Sequence, residues 1–494
     1  MVIIFVYIII VLYGISLFMI LLYSLSQLSL LINYLRAKHA AKLPLVILKD
    51  EALPFVTIQL PVYNEKYVME RLLNCVAATN YPQHKLQIQV LDDSTDDSLQ
   101  TNEVQIAQLK ASGINIVHLH RTNRTDYKAG ALKEGLAKAS GEFIAIFDAD
   151  FMPGANWLRT TVSQFTSPEI GVVQTRWGHL NKDYSYLTKT QAFALDAHFT
   201  LEQAGRNAGG HFINFNGTAG IWRKSCIIDA GNWRGDTLTE DLDLSYRAQL
   251  KKWKFKFLEN VVAPAELPVV ISAARSQQFR WNKGGAENFL KLIPTILRAK
   301  DISIATKFHS VFHLVNSTMF FFILTVSVLS VPMLYIKNTY THFDFWFSIH
   351  SFFLVSTLIL FCCHWVVYKT LHGNGFQSFI KYISMFFTFF TIALGFSLHN
   401  SLAVAEAYRG KKSPFIRTPK FNIQLNSDSW KGNTYLSKQL SLNVLIEILL
   451  WAYFGFGLFS AYRVSDFTMI PFHLMLFIGF GYVIFLSVKP EVSH

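Results

Sequence analysis

The sequence is poor in charge and in cysteine for its length. Asp, Glu, Lys and Arg make up 16% of its 494 residues, against about 25% in a typical soluble domain. This scarcity excludes a disordered chain and a coiled coil, both of which need much more charge. The four cysteines lack the spacing of a disulfide scaffold or a zinc site, so we predict no redox function. Instead, 51% of the residues are apolar, 43 are Phe, and the apolar residues cluster in long runs.

The net charge of +12 is compatible with binding to nucleic acid, to anionic lipid or to an anionic substrate. Much of the excess lies directly after the first apolar run and between Arg409 and Lys438. Basic residues that flank membrane segments mark their cytoplasmic side. They are not gathered on one recognition helix, so we predict no nucleic-acid partner. The charge therefore indicates topology relative to membrane lipid first, and an anionic substrate second.

The first apolar run covers residues 2–31 and contains no charged residue. It is longer than the ~20 residues that cross a bilayer, and no small-residue cleavage site follows it. Arg36, Lys38 and Lys42 come next and indicate that this end lies in the cytoplasm. We therefore expect residues 1–35 to form a retained transmembrane anchor with its N-terminus outside. The alternative is a cleaved signal peptide.

Between about residues 54 and 300 the apolar stretches shorten to strand length and alternate with polar stretches of helix length. Strands that alternate with helices predict a parallel, doubly wound α/β sheet, in which ligands bind beyond the carboxyl ends of the strands. The predicted strands are residues 56–60, 86–91, 114–117 and 143–147. Two of these strands run directly into acidic residues, which indicates a site at their ends. We take residues 50–300 as one cytoplasmic domain.

Apolar sequence returns after this domain, and residues 305–494 are predicted to form an α-helical transmembrane bundle. The runs are residues 311–336, 345–367, 382–398, 444–462 and 472–488. If every run crossed the membrane, the basic stretch after Ala407 would lie outside, against the positive-inside rule. Because polar residues continue the run at 382–398, we predict an interfacial helix at about 380–405. Five crossings remain, with the C-terminus and a loop at about 408–440 in the cytoplasm.

Two acidic clusters follow predicted strands. Asp92 and Asp93 follow the second strand, and adjacent acids of this kind are more often helix caps than ligands. Asp148 and Asp150 follow the fourth strand at alternate positions, so their carboxylates share one face of the extended chain. Paired hard oxygen ligands suit Mg²⁺ or Mn²⁺, with phosphate oxygens of a substrate completing the shell. The alternative for this second cluster is a solvated acidic turn.

Two further segments carry charge at the start of a helix. Lys128 opposes the helix dipole there, and a diphosphate is the natural compensating anion, although a lone lysine is more often a solvated surface charge. Thr239, Glu240 and Asp241 begin a helical stretch that runs to Leu250, where the Thr and one acid could simply be caps. In the functional interpretation, one of the two carboxylates is a general base that takes a proton from an attacking hydroxyl.

A third segment combines Gln277, Arg280 and Trp281 just before the return to apolar sequence. Arg beside Trp can form a structural cation–π pair. Gln and Arg can also bind the oxygens of sugar and phosphate, while an indole face stacks on a pyranose ring. The segment therefore has a structural and a substrate-binding interpretation.

The order of these motifs resembles that of the family 2 processive glycosyltransferases, which include the cellulose, glucomannan and hyaluronan synthases. An Asp pair, Asp-x-Asp, Thr-Glu-Asp and Gln-x-x-Arg-Trp follow one another in the sequence. Residues 61–65, Pro-Val-Tyr-Asn-Glu, match the strand-end motif that opens the catalytic domain of that family. Residues 215–218 resemble the loop that flanks its acceptor, and residues 414–420 resemble its cytoplasmic gating-loop segment. The motif resemblance covers about residues 54–300.

This resemblance implies a GT-A-like, doubly wound catalytic domain inserted in the transmembrane bundle. A nucleotide sugar would bind at the switch point of the sheet, and Mg²⁺ or Mn²⁺ would neutralise its departing diphosphate. Asp241 would be the general base, with Glu240 beside it in the catalytic pair. The implied binding residues are Tyr63, Glu65, Asp92 or Asp93 and Lys128 for the base pocket, Asp148 and Asp150 for the diphosphate and metal, Gln277 and Arg280 for the diphosphate, and Trp281 for the acceptor sugar.

The implied activity is inverting transfer of a hexose from UDP-glucose or GDP-mannose to a growing β-linked polysaccharide, coupled to export. Sugar hydroxyls would lose their water partners in lipid, so an aromatic-lined pore is expected. About five membrane-spanning helices are few for a pore made by one chain. A homo-oligomer or an export partner could complete the pore. The protein is expected to be integral to the inner or plasma membrane, with its catalytic domain in the cytoplasm.

Two alternatives assign the protein a different function. A non-processive glycosyltransferase that adds one sugar to a lipid acceptor would share the acidic motifs and yield a single glycolipid rather than a ladder of sizes. A transporter or receptor whose domain only binds nucleotide would leave Asp241 without a task. It would therefore retain its function after Asp241→Asn.

Overall fold

The computed structural model describes residues 2–39, 45–340, 343–425, 427–430, 433, 435 and 442–488. Within these residues, a seven-stranded sheet occupies the middle of the chain, and long apolar helices lie before and after it. The strands are β1 (Val56–Val62), β2 (Leu86–Asp92), β3 (Ile116–His120), β4 (Phe143–Ile146), β5 (Ile170–His179), β6 (Gly220–Arg223) and β7 (Lys254–Ala265).

Helices surround the sheet and build the apolar part of the molecule. In the described residues these are α1 (Val2–His39), α2 (Met69–Ala77), α3 (Ser98–Ala111), α4 (Tyr127–Lys138), α5 (Trp157–Val162), α6 (Tyr186–Ala197), α7 (Ala204–Ala208), α8 (Lys224–Asp229), α9 (Glu240–Leu250), α10 (Ile271–Arg298), α11 (Ile304–Leu314), α12 (Met319–Thr339), α13 (Asp344–Phe352), α14 (Val355–His372), α15 (Phe376–Gly395), α16 (Ser397–Tyr408), α17 (Asn443–Arg463) and α18 (Ile470–Val488). A π-helix, His198–Gln203, joins α6 to α7.

The sheet confirms the predicted α/β class and differs from the prediction in one strand. Its order is β3-β2-β1-β4-β6-β5-β7. β3, β2, β1 and β4 are parallel, as are β5 and β7, but β6 runs antiparallel to both β4 and β5. The direction of β6 was not predictable, because its four residues, Gly-Ile-Trp-Arg, carry no information about direction.

The sheet is buried on both faces, and the strand period explains how. In β4, Phe143 and Ala145 pack on one side with Leu72 and other residues of α2. Ile144 and the rest of the alternate set pack on the other side with residues of α4, such as Leu132. Successive side chains of a strand point to opposite faces, so one short apolar run serves both layers. This double covering leaves the carboxyl ends of the strands as the open edge.

Within the described part of the chain, six helical segments are long and apolar enough to cross a membrane, which indicates a membrane protein. They correspond to the six apolar runs of the sequence. α15, the run predicted to be interfacial, is one of the six, yet it also packs along α6 of the sheet domain. Ile392 and Leu187 belong to one buried apolar cluster near one end of α15, and the ring centres of Tyr382 and Phe193 lie 6.3 Å apart nearer the other. Length and composition do not separate crossing from interfacial helices, so the five-crossing topology and the domain limits stay predictions.

The predicted loop at about 408–440 is described at residues 409–425, 427–430, 433 and 435, where it contains neither helix nor strand. Its remaining residues lie outside the described part of the chain. Lys283 of α10 fixes the start of this loop, because its ammonium group lies 2.5 Å from the Ser413 hydroxyl. The amide of Phe421 donates to the Glu266 carboxylate at 2.8 Å and fixes it further along.

Candidate active site

The carboxyl ends of β2, β1 and β4 lie side by side, and the residues that follow them form the floor of a cleft. Parallel strands bring these ends to one edge of the sheet, where open α/β sheets bind ligands. The cleft opens to solvent. All but one of the residues singled out in the sequence line it, namely Tyr63, Glu65, Asp93, Lys128, Asp148, Asp150, Glu240, Asp241, Gln277, Arg280 and Trp281.

The exception is Asp92, which the structure does not bring to the cleft. Its side chain is fully buried, and its carboxylate accepts hydrogen bonds from the Ser94 amide at 2.8 Å and the Asn102 amide group at 2.9 Å. His118 Nε2 lies 3.0 Å from the same carboxylate. Burial opposes ionisation, but these hydrogen bonds outweigh it and lower the pKa of Asp92. In this structure Asp92 stabilises the loop after β2.

The sequence motifs did not indicate two arginines between β3 and α4. Arg124 lines the cleft, and Arg121 holds Asp93, which also lines it. Arg121 donates to both carboxylate oxygens of Asp93, at 2.7 and 2.6 Å. The guanidinium carbon of Arg124 lies 3.3 Å from the centre of the Tyr63 ring. Their position after a strand of the sheet was the available signal, but arginines are common in surface loops. The wall of the cleft formed by Tyr63 and Arg124 is therefore both aromatic and cationic.

Lys128 joins three parts of the cleft. Its ammonium group donates to Asp148 Oδ1 at 2.5 Å and to the Gly217 carbonyl at 2.9 Å. The Asp148 amide donates to the Thr218 hydroxyl at 2.9 Å, which holds the end of β4 against the same loop. Burial opposes the charge of Lys128, but Asp148 and Glu240 outweigh it and raise the pKa of the lysine. In this structure, Asp148 is the anion that compensates Lys128.

Helix α9 begins at Glu240 and ends at Leu250, as the sequence predicted. Thr239 is not the cap that was considered, because its side chain makes no capping hydrogen bond. Its hydroxyl instead accepts from the Asn288 amide group of α10 at 2.9 Å. The start of α9 is thus held against α10, which places the Glu240–Asp241 pair opposite Lys128.

Asp241 faces the loop that carries Gly217. Gly217 has a φ of +78°, and a Cβ atom there would lie 3.2 Å from Asp241 Oδ2 and 3.6 Å from the Lys128 ammonium group. Glycine suits both this backbone conformation and this close approach. Burial and the neighbouring Glu240 carboxylate raise the pKa of Asp241, while burial raises that of Glu240. A carboxylate with a raised pKa in a cleft is a stronger base than a solvated one.

Gln277, Arg280 and Trp281 share one face of α10, because residues three and four apart on a helix are neighbours. Arg280 donates to the Thr418 hydroxyl at 2.7 Å, and its guanidinium carbon lies 4.5 Å from the centre of the Phe415 ring. The motif therefore faces the segment at residues 414–420, which lies across the cleft.

The segment at residues 414–420 covers the cleft with cations. Lys420 donates to Asp150 Oδ2 at 2.7 Å, and Arg417 Nη1 lies 3.1 Å from Glu65 Oε2. Burial raises the pKa of Glu65 to about 7, although the charge of Arg417 opposes the shift. The basic residues of this segment were interpreted from the sequence as a topology signal. Two of them also neutralise carboxylates of the cleft.

Asp148 and Asp150 provide a donor set that fits a divalent metal in part. Both carboxylates line the cleft, and Mg²⁺ is often held by one or two carboxylates together with phosphate oxygens of a substrate. Within the described residues there is no group of three or more His, Cys, Asp or Glu side chains that could hold a metal ion without a substrate. Each of the two carboxylates contacts a lysine, Lys128 or Lys420, which a metal ion would have to replace.

Comparison with known proteins agrees with the motifs. Residues 54–284 match the model of the family described as Glycosyltransferase like family 2. The chain carries a family 2 glycosyltransferase domain. Glucomannan 4-beta-mannosyltransferase 1 of Oryza sativa subsp. japonica is 41% identical over 271 residues, which are 54% of this chain and 52% of the rice protein. Glucomannan 4-beta-mannosyltransferase 9 of Arabidopsis thaliana is 41% identical over 270 residues, which are 54% of this chain and 51% of that protein. The chain thus matches about half the length of these curated relatives.

A solved structure resembles the fold of the family 2 domain. It is a mannosyltransferase from Pyrobaculum calidifontis, PcManGT, in complex with GDP-Man and Mn²⁺. The TM-score is 0.50 at 17% sequence identity, and the match covers 70% of this chain and 98% of that one. Together with the mixed seven-stranded sheet, this likeness confirms the GT-A-like fold that the motifs imply.

Proposed function

We propose that this protein is an inverting hexosyltransferase that transfers a sugar from a nucleotide sugar to a growing β-linked polysaccharide. The observation that carries the proposal is the placement of Asp241. It is a carboxylate with a raised pKa beside the loop at Gly217, in the same cleft as Lys128 and Arg280. A domain that only bound a nucleotide would have no use for such a base.

The donor is proposed to lie across the edge of the sheet. Tyr63, with Arg124 over its ring, supplies an aromatic and cationic wall on which a nucleobase can stack. Lys128 pairs with Asp148 and Arg280 lines the same cleft, and both would bind the diphosphate. Gln277 and Trp281 line the same cleft and would contact the diphosphate and the acceptor sugar respectively.

In the proposed reaction, Asp241 accepts the proton of the acceptor hydroxyl while that oxygen bonds to the anomeric carbon and the diphosphate leaves from the opposite face. Glu240 maintains the basicity of Asp241 by adding negative charge beside it. Asp148 and Asp150 would hold Mg²⁺ or Mn²⁺ together with the diphosphate. The bound ion would supply charge neutralisation of the departing diphosphate.

A mannosyl donor is proposed first and a glucosyl donor second, because the matched relatives are named 4-beta-mannosyltransferases. The six apolar helices support synthesis at a membrane, with the catalytic domain in the cytoplasm where nucleotide sugars occur. Export of the product through the bundle belongs to the same proposal, either by one chain or with a homo-oligomer or an export partner.

The proposal is tested with membranes that contain the full chain, incubated with labelled GDP-mannose or UDP-glucose and Mg²⁺ or Mn²⁺. The expected result is a ladder of β-linked products or an insoluble polymer, from GDP-mannose first. A single labelled glycolipid would replace the polysaccharide proposal with transfer to a lipid acceptor. Binding of nucleotide without transfer from either donor would overturn the enzyme assignment.

Asp241→Asn tests the role of the base. Loss of a general base costs about 10²–10⁴-fold in turnover, and we expect a loss in this range with binding of the nucleotide sugar retained. Asp236→Asn is the matched control, because Asp236 precedes the same helix and pairs with Lys291 at a solvent-exposed position. Equal turnover in the two variants would remove Asp241 from the mechanism.

A further inference from the structure

A second polar cluster lies behind the cleft, on the π-helix between α6 and α7. Its centre is Glu202, which is 9% exposed. Glu202 accepts hydrogen bonds from Gln27 at 3.1 Å, His198 at 2.9 Å and Arg206 at 3.0 Å. Burial opposes ionisation, but His198 and Arg206 hold the pKa of Glu202 well below its usual range. π-Helices are rare and occur frequently at functional sites, so this cluster needs an explanation.

The hydrogen bonds determine which nitrogen of His198 carries the proton. Gln203 donates to the Asn214 carbonyl at 2.6 Å, which fixes its amide orientation, and it donates with the same group to Asn216 Oδ1 at 2.6 Å. The amide nitrogen of Asn216 must then face His198 Nε2, at 2.9 Å. Because that nitrogen accepts, the proton lies on Nδ1, where it is donated to Glu202. The chain Glu202–His198–Asn216 therefore has one consistent donor–acceptor order.

Asn216 connects this cluster to the catalytic cleft. It lines the cleft and directly precedes Gly217. The Gly217 carbonyl accepts from Lys128, and this residue approaches Asp241 Oδ2 closely. Rotation of the Asn216 side chain would shift the loop that separates Lys128 from Asp241. A displacement of about 1 Å at a reacting centre can reduce turnover by about 10²-fold.

Helix α1 closes the other end of the cluster. Tyr23 and Gln27 of α1 both contact Glu202 Oε1, at 3.3 and 3.1 Å. The helix approaches closely because Gly205 and Gly209, one turn apart, face it. A Cβ at Gly205 would lie 2.6 Å from the Leu30 carbonyl oxygen, and one at Gly209 would lie 2.4 Å from a side-chain atom of α1. Small residues four apart are a common basis for close helix packing in membrane proteins.

We propose that His198 and Glu202 are positioning residues for the transfer reaction, which hold Asn216 and the Gly217 loop in register with Asp241, and that docking of the membrane helix α1 completes them. The proposal rests on the proposed function, since Asp241 is the base. It explains why an ionised carboxylate, Glu202, is buried away from substrate. It also gives the membrane anchor a part in setting the geometry of the cleft.

The test uses the full chain in detergent or membranes and separates positioning from folding. His198→Phe keeps a ring but removes both nitrogens, and we expect turnover to fall about 10- to 100-fold with the KM for the nucleotide sugar within about threefold of wild type. His198→Gln keeps one acceptor and one donor, and should recover turnover to within about fivefold of wild type. His309→Phe is the matched control. His309 also bonds a residue of α1, Ser29, at 3.2 Å, but it has no link to Asn216.

The decisive readout is a double-mutant cycle with Asn216→Ala. If His198 acts through Asn216, adding His198→Phe to Asn216→Ala should lower turnover by no more than about twofold, because coupled residues are non-additive. Additive losses, or a loss in His309→Phe as large as in His198→Phe, would overturn the positioning role. If His198→Phe does not fold, the same cycle with His198→Gln decides. The loss of turnover that His198→Gln causes must also disappear in the Asn216→Ala background.

Replacement of the α1 contacts by Tyr23→Phe and Gln27→Leu together should lower turnover about three- to tenfold, and this loss should also disappear in the Asn216→Ala background. A loss that persists there would show that α1 acts on stability alone. Wild-type membranes decide between the two proposals. If they transfer no sugar from any nucleotide donor, the proposed function fails; if they transfer and the cycles are additive, only the positioning role fails.

Discussion

The chain has an acidic pair at the end of β2 and another at the end of β4, and the two serve different purposes. Asp92 is buried beneath the loop after β2. Its carboxylate accepts hydrogen bonds from Ser94 in that loop and from Asn102 of α3. Asp148 lies in the open cleft with a side chain that is 37% exposed, and its partner Lys128 comes from a separate helix. The partners of Asp92 belong to the fold, whereas the partner of Asp148 is a side chain that a phosphate could also attract.

This contrast indicates how one sheet edge provides both rigidity and reactivity. Fixed hydrogen bonds at β2 hold the loop that carries Asp93 and its arginine, Arg121. Ion pairs at β4 and in the segment at residues 414–420 neutralise the Asp148 and Asp150 carboxylates of the cleft. Substitution of Asp148 at the end of β4 should therefore lower turnover, whereas substitution of Asp92 at the end of β2 should lower stability.

The largest expected difference is in turnover. Asp148→Asn should reduce transfer by about 10²-fold or more, because charge stabilisation at a departing group contributes several kcal/mol, while the melting temperature stays close to wild type. Asp229→Asn is the matched control. It breaks another lysine–aspartate contact, with Lys251, on an exposed part of the surface. A loss in the control as large as in Asp148→Asn would remove the special status of the cleft pair.

The next effect is on pH dependence. Asp241 must be deprotonated to act, and its pKa is raised by burial and by Glu240. Turnover should therefore fall as pH falls through a value above the ~3.9 of an ordinary aspartate. Glu240→Gln removes a negative charge that raises the pKa of Asp241, so the acid limb should move to lower pH. If the acid limb of the pH profile of Glu240→Gln stays in place or moves to higher pH, Glu240 does not raise the pKa of Asp241.

At β2 the expected loss is in stability. Asp92→Asn weakens the hydrogen bonds from the Ser94 amide and the Asn102 side chain, which should cost about 1–3 kcal/mol. The pKa of Asp92 is lowered in the folded state, so its contribution is present above its unfolded pKa and is lost as pH falls. Thermal melting at neutral pH should show the loss, and turnover of the folded fraction should change little. If Asp92→Asn melted at the wild-type temperature but lost its turnover, Asp92 would have to act in substrate binding or catalysis.

The smallest effect is expected in the cover of the cleft. Thr418→Val removes the hydroxyl that accepts from Arg280, and a hydrogen bond of this kind contributes about 0.5–1.5 kcal/mol. Binding of the nucleotide sugar, measured by titration, should change by about two- to tenfold. Ile416→Val, at an exposed position of the same segment, is the control and should bind as wild type does. Loss of all turnover in Thr418→Val would assign the segment a larger role than covering.

Part of the cleft was predictable because Tyr63, Asp93, Asp148 and Asp150 follow strands at one sheet edge. The bounds of α9 at Glu240 and Leu250 follow from local periodicity, and the structure has them. Asp148 and Asp150 both line the cleft, but they lie in the turn after β4 and not on an extended chain. Periodicity did not show that Asp92 is turned away from the cleft and Asp93 toward it, because that depends on partners 10 and 26 residues further along the chain.

The parts that the sequence did not reveal depend on contacts between distant segments. Arg124 over Tyr63 and Lys420 on Asp150 join residues far apart in the chain, and no local pattern indicates such pairs. The π-helix at His198–Gln203 continues an ordinary helical pattern in sequence. Its register is set by Glu202 and its partners on α1, which only the folded chain brings together.

The central claim, that this cleft transfers a hexose with inversion and with Asp241 as its base, is tested most directly by the anomeric configuration of the product. The product made from an α-linked nucleotide sugar by wild-type membranes should be β-linked by nuclear magnetic resonance and by cleavage with a β-specific endoglycanase. Asp241→Asn membranes should bind the same donor and form almost none of it. An α-linked product, or a β-linked product formed at wild-type rate by Asp241→Asn, would contradict the account.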